Sequence, residues 1–463
     1  MVTLALFAAS VVVCVEQPPS EAPAAAMQKD AQAVMARLDR AYVQATIEKL
    51  ASFGTRHSLS TTTDPARGIG AARNWIKTEF EGFTRAGGQD VRPTGFSVSF
   101  EEFTPPVGGR ISSETKFVNV VAVLRGSKTP ERRYYVVGHY DSMPSDVMDP
   151  AADAPGANDD ASGTAAVLAI ARAMEAWPCE STIVFLCTSG EEQGLIGAKY
   201  HAEQAATRKE DIRAVLNNDI IGDSLGPMGD EKRAARGTVR IFSEGLPRNA
   251  TSEQLARIRQ LGSEVDSPSR QLARYVAEIA EREKTALKPM LVYRLDRFLR
   301  GGDHSAFNDA GFAAVRFCQT HENYDHQHQT PREEKRPDGT VRRYGDLPEF
   351  VDFEYVANVA RLNAAVLIHL ANAPSVPGNV RIVTAKLETT TTLRWSASPE
   401  ADVAGYEVVW RDTTSPAWTH TKDVGLTTEI TLDENKDNVY FGVRAYDTTG
   451  YRSPVAFTGA ARE

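Results

Sequence analysis

Three short segments hold side chains of the kinds that bind metals: His139-Tyr140-Asp141, Gly156-Ala157-Asn158-Asp159-Asp160-Ala161-Ser162-Gly163, and Gly190-Glu191-Glu192-Gln193-Gly194. Asp219 follows the apolar run Ala214-Val215-Leu216, and His326 and His328 lie downstream. Imidazoles mixed with carboxylates form the donor set that suits zinc. Asp141 stands two residues from His139, close enough to orient the second ring nitrogen and raise its basicity. Asp159 and Asp160 crowd a glycine-flanked turn that opens a helix. One carboxylate there would serve as an N-terminal cap, but two adjacent ones repel each other unless a cation is present. Adjacent Glu191 and Glu192 point in different directions, which divides them into one metal ligand and one general base.

These residues need a scaffold that brings strand ends together. Residues 117–123, 133–137, 181–187, 214–218, 238–242 and 314–318 read as strands, and residues 181–187 form a continuous apolar run of the kind buried on both faces. Residues 30–50, 70–80, 163–174, 195–204, 269–284 and 353–370 have helical periodicity, and Phe53-Gly54-Thr55-Arg56-His57 reads as a turn. Strands alternating with helices predict an α/β fold, a mixed and largely parallel sheet covered by helices on both faces. Ligands collect beyond the carboxyl ends of such strands, and His139, Glu191, Glu192 and Asp219 all follow strand-like runs in that sense.

Ala373-Pro374-Ser375-Val376-Pro377 ends the last helix, and short alternating runs at 380–382, 392–395, 405–410, 429–432 and 439–446 follow. They predict a small all-β sandwich over residues 373–463, after a main domain over 27–372. Length agrees, because 463 residues exceed one ordinary core. Residues 2–15 are apolar but too short to span a bilayer, and small residues follow them, so 1–26 reads as a secretory signal-like segment lacking the usual basic start. A secreted or periplasmic protein without a stable membrane span is expected. The formal net charge of -9 and the lack of a Lys/Arg-rich run argue against nucleic acid as a partner. Cys179 and Cys187 bracket one extended run and cannot reach each other, so with Cys318 they read as core residues.

Taken together, these motifs resemble the co-catalytic zinc peptidases: the secreted bacterial leucyl-type aminopeptidases and glutamate carboxypeptidases, with glutaminyl cyclases as single-zinc relatives. The resemblance spans roughly residues 30–372 and implies two Zn2+ ions acting on peptide or protein substrates. By it, His139 and Asp219 hold one zinc, Glu192 and a late histidine the other, Asp159 bridges them, and Glu191 is the general base with Asp141 supporting. Gly302-Asp303-His304-Ser305-Ala306-Phe307 matches a family segment that lies near the site without ligating. The late histidine is His326 or His328. Alternate residues of an extended segment point the same way, so geometry does not choose between them; the family pattern favours His326, close behind Tyr324. The implied activity is removal of N-terminal amino acids through a water shared by two zincs. Carboxypeptidase, dipeptidase or glutaminyl cyclase action and a non-catalytic binding relative are the alternatives. Residues 374–460 are similar to a fibronectin type III module, with Leu393-Arg394-Trp395 as the core tryptophan strand. Its expected role is a stabilising or adhesive appendage, in contact with polysaccharide or cell surface, or trimmed after export.

Overall fold

The computed structural model describes residues 21–86, 96–175, 177–385 and 387–461. Most of the signal-like segment, residues 1–20, lies outside them. No helix among the described residues is long and apolar enough to cross a membrane.

The chain opens with α1 (Glu21–Ala36), α2 (Arg40–Ala51) and α3 (Gly68–Ala86), followed by β1 (Phe96–Phe103), β2 (Phe117–Leu124) and β3 (Thr129–His139). Then come α4 (Ala161–Met174), β4 (Ser181–Thr188), α5 (Ile196–Thr207), β5 (Asp211–Asn218), β6 (Thr238–Ser243), α6 (Ser252–Leu261) and α7 (Pro268–Arg282). The main domain closes with β7 (Lys288–Val292), α8 (Asp303–Asp309), β8 (Ala314–Cys318), a hairpin of β9 (Arg332–Lys335) and β10 (Val341–Tyr344), and α9 (Phe353–Asn372). The periodicity of residues 30–50 suggested one helix; there are two, because Asp39 breaks the run and caps α2, its Oδ1 accepting the Ala41 N–H at 2.9 Å.

The eight-stranded sheet has the order β1-β2-β4-β3-β5-β8-β6-β7. Its centre, β4-β3-β5-β8, is parallel, and antiparallel pairings join β1 to β2, β2 to β4 and β6 to β8. Every residue of β4 is buried, as a strand covered on both faces requires. One face packs under α1, α2, α3, α4, α7 and α9; the other carries α5 and α8 around Tyr135, Val137, Leu186 and Phe307. Cys179, Cys187 and Cys318 are free and buried.

The start of α4 lies directly on the sheet because two glycines allow it. A Cβ at Gly138 would stand 2.7 Å from the Gly163 carbonyl carbon, and one at Gly163 would stand 2.1 Å from the Asn218 carbonyl oxygen. Either clash would push the turn bearing Asp159 away from the ends of β3 and β5.

Beyond α9, β11 (Gly378–Val383), β12 (Thr391–Ser396), β13 (Val403–Asp412), β14 (His420–Gly425), β15 (Glu429–Leu432), β16 (Val439–Asp447), β17 (Ala456–Phe457) and β18 (Gly459–Ala461) build two four-stranded sheets. Val380, Leu393 and Trp395 of one sheet share a core with Tyr406, Val408, Phe441 and Val443 of the other. This sandwich is docked on α7 by buried charge. Arg411 donates to both oxygens of Asp266 at 2.9 and 2.8 Å, and Arg274 donates to the same carboxylate at 2.8 Å. Arg444 reaches Glu278 at 2.7 Å, and Tyr451 donates to Asp30 at 2.9 Å.

Candidate metal centre

His139 is the last residue of β3, Glu191 and Glu192 follow β4, Asp219 follows β5, and the loop after β8 carries His328. Four neighbouring parallel strands thus deliver their donors to one end of the sheet, and Asp159 arrives from the turn before α4. Among the described residues two donor groups form there: His139 with Glu191 and Asp219, and Asp159 with Glu192 and His328, the ligand atoms of each lying within 4.8 Å of one another. Asp159 faces both groups, with Oδ1 3.1 Å from His139 Nε2 and Oδ2 2.8 Å from His328 Nε2. Glu192 Oε1 is 3.1 Å from His328 Nε2, and Asp219 Oδ1 is 3.9 Å from His139 Nε2.

The surrounding hydrogen bonds fix these side chains. His139 Nδ1 faces Asp141, 3.2 Å from its carbonyl oxygen and 3.5 Å from Oδ1, which leaves Nε2 for the centre. The Asp141 carboxylate chiefly holds the loop after β4, accepting the N–H groups of Glu191 at 3.3 Å and Glu192 at 3.2 Å. Asp160 turns away from the donor groups: Oδ1 caps α4 through the Gly163 N–H at 2.8 Å and Oδ2 accepts the His139 N–H at 3.1 Å. The crowded turn therefore assigns one aspartate to the centre and the other to the helix.

The electrostatics are those of a cation site. Burial works to raise the Asp159 carboxyl, but His328 and His139 hold it well below the usual range. Burial pushes Glu191 well above the usual range, reinforced by Asp219, Glu192 and Asp303, although part of its side chain reaches solvent. Asp303 accepts a hydrogen bond from Thr188 and is pushed up to about 7 by burial. Glu192 Oε1 is buried beside His328 Nε2 of its own donor group and is claimed by no hydrogen bond from outside that group, so a ligating oxygen is left free at the centre. Two imidazoles among carboxylates, with that free oxygen, fit zinc.

The expectation favouring His326 is corrected. His326 stacks on Phe350 with ring centroids 3.6 Å apart, and its Nδ1 lies 3.2 Å from the Asn323 side-chain nitrogen. The argument from alternation assumed an extended segment. Instead His326 N–H closes a turn on the Asn323 carbonyl, and His328 adopts φ 52°, a left-handed conformation that swings its ring into the centre. His304 donates toward the Leu295 carbonyl at 2.7 Å and does not join the donor groups, and His57 contacts the Val147 carbonyl at 3.0 Å.

Several supporting residues escaped the sequence reading. Arg316 is buried and pairs with Asp219 at 2.7 Å and Asp296 at 2.9 Å; a cation inside the apolar strand Ala314-Val315-Arg316-Phe317-Cys318 was the signal for a buried anionic partner. Asp346 accepts the N–H groups of Asn158 and Asp159, both at 2.7 Å, and Gln327 donates to Asp159 Oδ2 at 3.2 Å. Arg56, in the turn after α2, clamps the carbonyls of Tyr140 at 2.6 Å and Gly156 at 2.9 Å, tying together the two loops that carry His139 and Asp159. An arginine in a turn gives no sign of such a role in sequence.

Residues 119–238, the stretch holding five of these donors, match Peptidase family M28. The chain is 45% identical over 432 residues to a "Probable zinc metalloprotease" of Leptosphaeria maculans, covering 93% of this chain and 97% of that one. It is 46% identical over 430 residues to a protein of the same description from Pyricularia oryzae, covering 92% and 83%. Among solved structures, LapA of Legionella pneumophila has a similar fold, with a TM-score of 0.51 at 19% identity over 78% of this chain and 80% of that one.

Proposed function

This chain belongs to peptidase family M28, and from that premise we propose that it is a two-zinc exopeptidase releasing N-terminal amino acids from peptides. The observation that carries this reading is the position of Asp159, one carboxylate facing two donor groups at 3.1 and 2.8 Å. His139 and Asp219 would hold one metal and Glu192 and His328 the other, with Asp159 placed to serve both. When bound, zinc supplies Lewis acidity toward the scissile carbonyl and lowers the pKa of water to give a nucleophile near neutral pH.

The protein's own groups do the rest. Glu191, pushed above the usual carboxylate range by burial and open to solvent on one side, takes a proton on its carboxylate as water attacks and returns it to the leaving nitrogen. Asp141 keeps Glu191 in place through the backbone N–H of the same residue. Arg316 holds one Asp219 oxygen. On this reading the apolar residues 2–15 direct export, and residues 373–463 form a fibronectin type III-like stabilising module, supported by Trp395 packed edge-on against Tyr406 at 5.7 Å.

Mass spectrometry of products from matched peptides with free or acetylated N-termini tests the reading, with Glu191→Ala as control. Stepwise loss of N-terminal residues from the free peptides alone, absent in the variant, is expected. Cleavage from the other end, or none, would overturn it.

A further inference from the structure

A cleft of about 510 Å³ opens beside the donor groups, and Glu191, Glu192 and His328 are part of its lining. The lining also carries Arg110, Lys199, Arg297 and Arg300, and among the described lining residues Glu191 and Glu192 are the only carboxylates. Arg297 is already committed, to Asp296 at 3.1 Å and Glu322 at 2.9 Å. The other three are not neutralised in that way. Arg110 donates to the Glu192 carbonyl at 2.6 Å and Lys199 to the Gly194 carbonyl at 2.9 Å. Arg300 lies over the Tyr324 ring at 5.4 Å and reaches Glu322 only at 3.9 Å. Carbonyls and a ring fix the direction of a cation while leaving its charge available.

The cleft lining thus carries both signs of charge, with Arg110 and Lys199 tied to the same loop as Glu191 and Glu192. With metal held at the centre, the charge of Glu191, Glu192 and their neighbours would be offset, which leaves Arg110, Lys199 and Arg300 to set the field along the cleft. Arg110 is tied to the backbone of Glu192 itself, which places its charge within a residue or two of any bond held at the centre, since one extended residue spans at most about 3.6 Å. Resting on the peptidase reading above, we infer that the cleft selects peptides carrying a carboxylate within two residues of the scissile bond. That group is either the free α-carboxylate of a very short peptide or an Asp or Glu side chain in a longer one.

Two matched pairs of substrates separate these sources: leucyl-alanine against leucyl-alaninamide, and leucyl-glutamate amide against leucyl-glutamine amide. For the zinc-loaded full chain, kcat/KM should favour the charged member of at least one pair by roughly tenfold, because exposed ion pairs each contribute up to a few-fold and three cations converge here. The pair that responds identifies the source. In a protein carrying Arg110→Gln, Lys199→Gln and Arg300→Gln together, the ratio should fall toward one, with thermal melting used to verify folding. It should also shrink in the unmodified protein at 1 M salt, where screening acts over about 3 Å. Equal rates within both pairs, or a preference that survives the triple substitution, would overturn the inference while leaving the peptidase reading intact. Failure to cleave any of the four would overturn both.

Discussion

Arg316 donates to Asp219 Oδ1 at 2.7 Å from a fully buried guanidinium, and its other nitrogen donates to Asp296 Oδ2 at 2.9 Å. One cation thus lies between a carboxylate of the candidate metal centre and one outside it. Burial acts to raise both acids, yet Arg316 leads the charges that hold each below the usual range. The Asp219 oxygen that accepts from Arg316 is also the one 3.9 Å from His139 Nε2, so the charge of Asp219 is partly balanced by the protein itself.

Arg316→Met should therefore destabilise the protein by about 3–5 kcal/mol, the usual result of leaving buried charge without its partner. The loss should be larger in chelator-treated protein than in zinc-loaded protein, because a bound cation replaces part of the missing charge on Asp219. Denaturant unfolding with and without zinc measures both; equal losses in the two states would separate Arg316 from the centre.

His328→Ala and His326→Ala should differ sharply. With Nε2 2.8 Å from Asp159 and 3.1 Å from Glu192, His328 is required by its donor group, and its removal should lower bound zinc from two ions per chain to about one. His326, stacked on Phe350, should be replaceable with both ions retained. Elemental analysis after dialysis reads the outcome.

The adjacent glutamates should separate by phenotype. Glu191→Gln should retain metal and lose about 10²–10⁴-fold in kcat, the contribution expected of a positioned proton-transfer group. Glu192→Gln should lose metal first, because its buried Oε1 lies within the donor group, 3.1 Å from His328 Nε2. Parallel metal content and single-turnover rates distinguish the two.

Asp266→Ala removes the carboxylate shared by Arg274 and Arg411 at the boundary between the main domain and the sandwich. Two buried guanidinium groups would lose their anion, so a cost of about 3–5 kcal/mol is expected. Calorimetry should show the unmodified protein melting in one transition and the variant in two, as the sandwich separates from α7.

Much of the centre is legible in sequence for a simple reason. His139, Asp219 and the Glu191-Glu192 pair each end or follow an apolar strand, and parallel strands in one sheet must present those ends on the same edge. The division between Asp159 and Asp160 was not legible, because it depends on which side chain the helix N-terminus claims. The choice between His326 and His328 failed for a related reason: a turn and a positive φ set the ring directions, and neither leaves a pattern in residue types. Among the elements, β1 was missed although Phe96, Val98 and Phe100 alternate, and it pairs along its whole length with β2. The docking of the sandwich could not be read, since Asp266 and Arg411 look like ordinary surface residues until they are found buried against each other.

That docking bears on how such a protein can change over generations. Small β modules commonly pass between genes by recombination because they fold alone and are joined by linkers. Here the main domain carries Asp266 and Arg274 at its boundary with the sandwich, and a second arginine for that carboxylate, Arg411, is supplied from the far side. A recombinant that exchanged residues 373–463 for a module lacking an arginine at that place would leave the buried acid with Arg274 alone and without both of its bonds to Arg411. The two halves are therefore tied in inheritance as well as in space, and an exchange succeeds only where the acid and its arginine travel together.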